Sequence, residues 1–582
     1  MEPVNLVEAL EIFKQALPED AQPLRTFLAC GFTPLHLQTF LAAHLRKRLP
    51  RQRVEVKTGL FGDVAGSIER LQPSEYDILA VVIEWQDLDP RLGIRSLGGW
   101  RETDLPDIVK SAHLVATRLE QALRRTSAFI PECVCLPTLP LPPLFTTPTR
   151  QASDCELRLR QLVASFAASI SSDASIRVLN SQRLDELSPA QARLDVQTDL
   201  MAGFPYKLHH ASAIAELLAA LIQNPTPKKG LITDLDNTLW AGILGEVGTE
   251  GISWDLDQHT HMHGLYQQFL GSLASAGVLI AVASKNDPAL VEKAFERKDL
   301  IFSKESVYPF EVHWSRKSES VQRILTTWNI GYESVVFIDD SPMEVAEVKA
   351  AFPEMECVVF PTNDYQAIWD LLKRMRDLFG KSVISEEDSI RLESIRGAGV
   401  LRESLEATGG SLDDFLQSAD ASIRFTFGKQ AADNRAFELI NKTNQFNLNG
   451  KRLTDAAWKT YLNDSATFVM AASYEDKFGP LGKIAALLGR VQGKALRIDS
   501  WVMSCRAFSR RIEHQSLKQL FDKFDAEEIA FDYQATPRNG PLQEFFTELL
   551  GSPLTADVRL SRAAFSEKSP SLFHRVEEAV NG

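Results

Sequence analysis

The sequence predicts an α/β protein of three domains, and three observations carry that prediction. Its 582 residues exceed what one hydrophobic core normally organises. From the N-terminus to about residue 380, short apolar runs alternate with amphipathic helical stretches, the order that builds parallel sheets. Three of those runs end in chemically useful residues. The first is Leu231-Ile232, followed by Asp234 and Asp236. The second is Gly277 to Asp287, with Ser284 and Lys285. The third is Ser334 to Val345, with Asp339, Asp340 and Glu344. Such endings are how a buried parallel strand presents a site at its C-terminal edge.

Residues 1–225 form the first predicted domain. Val4 to Leu17 reads as an amphipathic helix with Leu6, Leu10, Phe13 and Leu17 near one face. LRTFLACGFTP (24–34) reads as a strand and turn, followed by a helix over Leu35 to Leu49 and strands at Arg53 to Thr58 and Ile78 to Ile83. A helix over Leu105 to Arg125 and a strand over Phe129 to Leu136 precede the proline-rich loop Pro137 to Pro148. A helix at Cys155 to Ser171, a strand at Ile176 to Leu179 and a helix at Ala211 to Ile222 complete the block.

NPTPKK (Asn224 to Lys229) reads as a connector to a second domain over 226–380. Residues two apart on an extended segment point the same way, so Asp234 and Asp236 reach one ligand. Two carboxylates in a small space need a partner, and the natural ones are a hard divalent cation such as Mg²⁺ and a phosphate. Taken alone, the same residues read equally as an Asp-rich turn capping a helix through Asn237 or Thr238. The distant Ser284, Lys317 and Asp339-Asp340, in that order, decide for a site. His259, His261 and His263 alternate without another ligand at zinc spacing, and are predicted as a polar insertion near the mouth of the site.

Residues 381–582 form the third predicted domain. Helices are predicted at Ser389 to Leu405, Ala431 to Asn441, Arg510 to Phe524 and Pro541 to Leu550. Strands are predicted at Ala421 to Thr426, Ala466 to Ser473, Gly482 to Val491, Ala495 to Ser504 and Glu528 to Tyr533. This is α+β order. Cys505 falls between a strand and a helix N-terminus, where donors and the helix dipole lower a thiol pKa. Arg506, Arg510 and Arg511 follow closely. A free cysteine is also commonly a small buried hydrophobe, and both readings stand on the residues alone.

Composition excludes several classes. Hydrophobic content of 44% and charged content of 24% are those of a globular protein. A net charge of -14 argues against nucleic-acid binding. Glu2, Glu8, Glu11 and Glu19 argue against a signal peptide, and no uncharged apolar stretch reaches membrane-spanning length. The six cysteines have no framework spacing, so a reduced, cytoplasmic protein without a membrane partner is expected.

The four elements in order resemble the motifs of the haloacid dehalogenase superfamily of phosphohydrolases. The phrases DLDNTLWAGILGE, ASKND, RKSESV and FIDDSPMEVAEV resemble more closely its subfamily IIIC and the FkbH-like family, with Ala241 where that family usually has Gly. KTNQFNL and WVMSCR match that family's C-terminal part. The resemblance implies an SGNH-like first domain, a Rossmann-like haloacid dehalogenase domain and a GNAT-like acyltransferase domain. The first domain lacks the Gly-Asp-Ser of active SGNH hydrolases, reading Cys30-Gly31-Phe32-Thr33 there. It offers only His209-His210 for their terminal Asp-x-x-His, so a non-catalytic docking or scaffold domain is expected.

The resemblance also implies roles. Asp234 is the nucleophile, Asp236 the general acid and base, Ser284 a phosphoryl hydrogen-bond donor, and Lys317 the charge-neutralising cation. Mg²⁺ would be held by Asp234, the Asp236 carbonyl and Asp339, with Asp340 beside or behind them. Thr238 and Asn286 belong to the substrate side of the loops. Cys505 would carry a glyceryl group taken from 1,3-bisphosphoglycerate, before its transfer to the phosphopantetheine thiol of an acyl carrier protein in polyketide-type, antibiotic-type biosynthesis. Arg506, Arg510 and Arg511 would meet phosphate there, and His514 is a candidate base. The competing readings are a Mg²⁺-dependent hydrolase of a small phosphate ester without acyl transfer, and a non-catalytic assembly protein.

Overall fold

Apolar β-branched runs covered on both faces build two parallel sheets in the chain. The computed structural model describes residues 3–18, 21–97, 101–143, 151–223, 226–381, 384, 388, 391–393, 395–396, 412–429, 434–443, 445–477, 479–504, 507–508, 510–536, 539–551, 554 and 558–578. They form a multi-domain α/β fold divided into two compact units, Met1–Thr226 and Pro227–Gly582. Among the described residues no helix is long and apolar enough to cross a membrane.

In the first unit, strands β1 (Pro23–Cys30), β2 (Arg53–Thr58), β3 (Ile78–Val82), β4 (Glu132–Cys135) and β5 (Ile176–Val178) pair in parallel in the order β2-β1-β3-β4-β5. The helices Leu35–Arg48 and Leu208–Ile222 pack together over one face. They are tied by Glu216, which sits 2.7 Å from His44 and 2.6 Å from Arg48. The helices Leu105–Thr126 and Asp154–Ile170 cover the other face. Gly31, just after β1, allows a close approach: a Cβ there would lie 1.7 Å from Asp87 Oδ1.

The N-terminal helix departs from expectation. It runs over Leu6–Lys14, capped by Asn5, and buries Ala9 with Leu6 and Ile12 partly buried beside it, while Leu10 and Phe13 face solvent. The small Ala9 lets the helix lie close against Leu35–Arg48, so size rather than hydrophobicity chose its buried face.

The second unit opens with a second parallel sheet of β6 (Gly230–Thr233), β7 (Leu279–Ser284), β8 (Val307–Val312), β9 (Val335–Asp339) and β10 (Glu356–Val359), in the order β10-β9-β6-β7-β8. The chain enters β6 through Gly230, where a Cβ would lie 2.5 Å from the Trp328 ring. Trp328 is fully buried and donates from Nε1 to the Tyr308 carbonyl at 2.7 Å, bracing β8.

The remaining sheet runs β17 (Val558–Ser561), β16 (Glu528–Phe531), β15 (Ala495–Met503), β14 (Gly479–Gln492), β13 (Thr467–Asp476), β11 (Ser422–Phe427), β18 (Arg575–Glu578), with β12 (Phe446–Asn447) paired to β15. It is antiparallel except for β15 with β16 and β11 with β18. The helices Ile512–Phe524 and Gly540–Leu550 pack around Trp501 and Phe531 on one side; Asn434–Lys442 packs with Trp458 on the other. Most of the helix expected at Ser389 to Leu405 lies outside the described residues.

Candidate active site

The C-terminal edge of the second parallel sheet gathers the motif residues. Asp234 follows β6 directly, Ser284 closes β7 and Asp339 closes β9. Lys317 opens the helix Lys317–Trp328, which follows β8. Two backbone bonds hold these ends in register, Asp234 N donating to the Ile338 carbonyl and His313 N to the Ser284 carbonyl, while Ser341 N donates to the Asp339 carboxylate at Oδ1.

Lys317 is the centre of the arrangement. It is 2% exposed. Its Nζ lies 2.6 Å from Asp234 Oδ1, 2.9 Å from Asp339 Oδ2 and 3.3 Å from Glu344 Oε2, and donates to the Ala283 carbonyl at 2.6 Å. Burial works against the ammonium, but Asp234 and Asp339 outweigh it and hold its pKa above the usual lysine range. Burial pushes the Asp339 carboxyl up, with Asp234 adding to the rise, and does the same to Asp340. Glu344 also pairs with Lys285 at 2.8 Å, and the two lysines carry its pKa below the usual value despite burial.

One carboxylate oxygen from each of Asp234, Asp339 and Asp340 lies within 4.8 Å of the others. Three converging carboxylates suit a hard cation such as Mg²⁺, and one lysine compensates only part of their charge.

Asp236 is oriented differently. Its Oδ1 accepts from Trp240 Nε1 at 3.0 Å and Leu244 N at 3.1 Å, and its Oδ2 accepts from Asn286 Nδ2 at 2.9 Å. Its side chain is therefore held by protein donors rather than in the carboxylate group around Lys317. Burial pushes its pKa up, the direction a general acid needs. Asn286 thus orients Asp236. The turn after Asp236 uses Asn237 at φ 51°, a left-handed conformation that Asn tolerates. Thr238 is fully buried beneath the loop with its Oγ1 unpaired.

Sequence reasoning missed His263. It was grouped with a polar insertion, yet it is 3% exposed and bonds through Nδ1 to the Thr238 carbonyl at 2.9 Å, bracing the loop that carries Asp234 and Asp236. The signal was helical spacing: His263, Tyr266, Gln267 and Leu270 share the buried face of the helix His261–Ser275.

Of the C-terminal candidates, the described Arg510, Arg511 and His514 are engaged away from this edge. Cys505 and Arg506 lie outside the described residues. Arg510, expected at a phosphate, is instead buried, paired with Asp476 at 3.4 Å and set over the Tyr474 ring. Arg511 donates to the Ser571 carbonyl and pairs with Asp413. His514 packs edge-on against Phe545. A cavity of about 490 Å³ is lined by Lys229, Leu279 and Ser334 at the N-terminal ends of β6, β7 and β9, and by Met503 and Ser504. It therefore opens on the edge opposite Asp234, a strand length of about 15 Å away.

No family model matches the chain, and no curated protein matches it. Among solved structures, the N-terminal part of the protein BF1531 from Bacteroides fragilis, containing a phosphatase domain complexed with Mg, aligns with a TM-score of 0.52. Identity is 19%, over 65% of this chain and 100% of that chain. This likeness shows the fold alone: the chain shares the architecture of that structure. An extracellular lipase from Streptomyces rimosus aligns at a TM-score of 0.26 and 10% identity, over 34% of this chain and 99% of that chain. The salicylyl-acyltransferase SsfX3 from a tetracycline biosynthetic pathway aligns at 0.20 and 14%, over 35% of this chain and 56% of that chain. At those scores neither carries an argument.

Proposed function

We propose that the chain is a Mg²⁺-dependent phosphatase whose second unit also transfers a glyceryl group to a phosphopantetheine-bearing acyl carrier protein. The observation that carries the phosphatase reading is the Lys317 ammonium set among Asp234, Asp339 and Glu344 at one sheet edge. Asp234 attacks phosphorus, its Oδ1 oriented by Lys317, and forms an aspartyl-phosphate as the P–O bond to the leaving alkoxide breaks. Asp236, whose pKa burial raises, gives a proton to that alkoxide. The same carboxylate then takes a proton from the water that hydrolyses the aspartyl-phosphate. Ser284 faces the phosphoryl oxygens. Asp234, Asp339 and Asp340 would hold Mg²⁺, which supplies charge compensation for the phosphoryl group.

The acyl-transfer step rests on resemblance. Cys505 thiolate would attack the acyl phosphate of 1,3-bisphosphoglycerate and release phosphate, leaving a thioester for the carrier thiol. A cytoplasmic setting follows from that chemistry. A second reading, phosphatase without transfer, is favoured by Ser504 lining a cavity on the edge opposite Asp234.

Intact-protein mass spectrometry with Mg²⁺ and 1,3-bisphosphoglycerate separates the two. A glyceryl adduct on wild type, a phosphoglyceryl adduct on Asp234→Asn and none on Cys505→Ala supports the bifunctional reading. Phosphate release without any adduct leaves the phosphatase alone.

A further inference from the structure

The first unit holds a cavity of about 270 Å³ that the phosphatase reading does not use. It opens where β3 and β4 end, the edge at which open α/β sheets take ligands. Trp85 from the segment after β3, Leu139 and Leu141 from the segment after β4, and Val196 from the helix Val196–Ala202 give it apolar walls. Two carboxylates, Glu84 and Asp199, interrupt them.

The two acids differ in their partners. Glu84 is fully supplied: Thr138 Oγ1 donates at 2.6 Å, Tyr206 OH at 2.7 Å, and the backbone N–H groups of Thr138 and Leu139 complete the set. Asp199 is 2% exposed, and among the described residues its Oδ1 has no hydrogen-bond partner. The nearby Arg95 donates from Nη1 to the backbone carbonyls of Asp199 and Leu200 instead. A buried acceptor left unpaired beside a cavity can take a donor from a ligand.

Among the described residues, the cavity lining carries no Ser, Cys, His or Lys side chain. Cys30 and His210 are not among its lining residues. The Cys30 thiol is pushed up to about 12 by burial and donates to the Phe32 carbonyl. Both His210 ring nitrogens are engaged, by Thr138 Oγ1 and Ser188 Oγ.

We propose that this cavity binds a small organic ammonium, its apolar body against Trp85, Leu139, Leu141 and Val196 and its N–H donors on Asp199. The inference is independent of the phosphatase reading. It is tested by ligand-observed saturation-transfer NMR on the full chain with benzylamine, benzyl alcohol and benzoate, each at a concentration on the order of 1 mM. Benzylamine is expected to receive saturation, benzyl alcohol to bind at least about tenfold more weakly, and benzoate not at all. Asp199→Asn should weaken benzylamine by about tenfold, and Val196→Trp, which fills the cavity, should abolish its signal. Equal binding of alcohol and amine overturns the ammonium assignment, and needs no variant. Absence of benzylamine binding, or binding unchanged in both variants, overturns the site.

Discussion

The first unit's sheet and the parallel sheet of the second unit share a plan: five parallel strands, helices on both faces and carboxylates beyond the C-terminal edge. They differ in how that charge is held. Around Asp234 a buried ammonium is shared by three carboxylates. Around Glu84 neutral hydroxyl and amide donors do the work, and Asp199 keeps an oxygen unpaired. Among the described residues, Glu132, inside the first unit's sheet, has neither cation nor donor on its two oxygens, and burial pushes its pKa up to about 9, which favours the neutral carboxyl. The same architecture thus supports an edge where acids share a buried ammonium and an interior that tolerates acids by protonating them or supplying hydrogen-bond donors.

The largest expected effect falls on the charged edge. Asp234→Asn should lower kcat for Mg²⁺-supported hydrolysis of p-nitrophenyl phosphate by about 10³-fold or more, with the circular dichroism spectrum unchanged. Turnover near wild type would remove Asp234 as nucleophile. Lys317→Met leaves Asp234, Asp339 and Glu344 facing one another without their cation. Denaturant unfolding of the second unit should show a loss of about 3–5 kcal/mol, as for a broken buried ion pair. Added Mg²⁺ should narrow that loss by binding the folded state; a loss insensitive to Mg²⁺ would separate Lys317 from the cation site.

On the other side of the comparison, Glu132 sets a pH dependence. Its proton is kept by the folded state and lost by the unfolded state between 4.5 and about 9. Its stabilising contribution is therefore complete below 4.5 and disappears as pH rises through about 9. Thermal unfolding of Glu132→Gln across that range should be flatter than wild type; parallel curves would mean Glu132 finds a counter-charge. The smallest effect is expected for His263→Gln, which loosens the Thr238 turn without touching substrate: kcat should fall about fivefold, with the unfolding midpoint little changed.

Much of this was legible because the strongest strands are short, apolar and end in Asp or Ser. The ends of β6, β7 and β9 that carry the site were placed within a residue or two, as were β1, β2, β3, β11 and β15. β8 was missed because Pro309 argues against a strand, and β10 because Glu356 and Cys357 leave little apolar run and it is only half-buried. The site residues could be named, but not their contacts. Lys317 meets Asp234 across 83 positions of sequence, and nothing local says that Asn286 reaches Asp236 or that Glu344 serves two lysines. Arg510 shows the opposite failure. A run of arginines after Cys505 suggested a phosphate, whereas Asp476 and Tyr474, which claim it, lie on another strand.

The meeting of Gly230 with Trp328 bears on how this sequence can change over time. The strand that delivers Asp234 begins on a residue with no side chain because an indole fills that space, and the same indole holds β8 through Tyr308. A substitution at 230 made first would dislodge Trp328 and loosen the helix that begins with Lys317. A smaller residue at 328 made first would open room for a side chain at 230. The order of mutations, and not only their identity, therefore decides which descendants of this chain keep a working edge, and the two positions should vary as a pair.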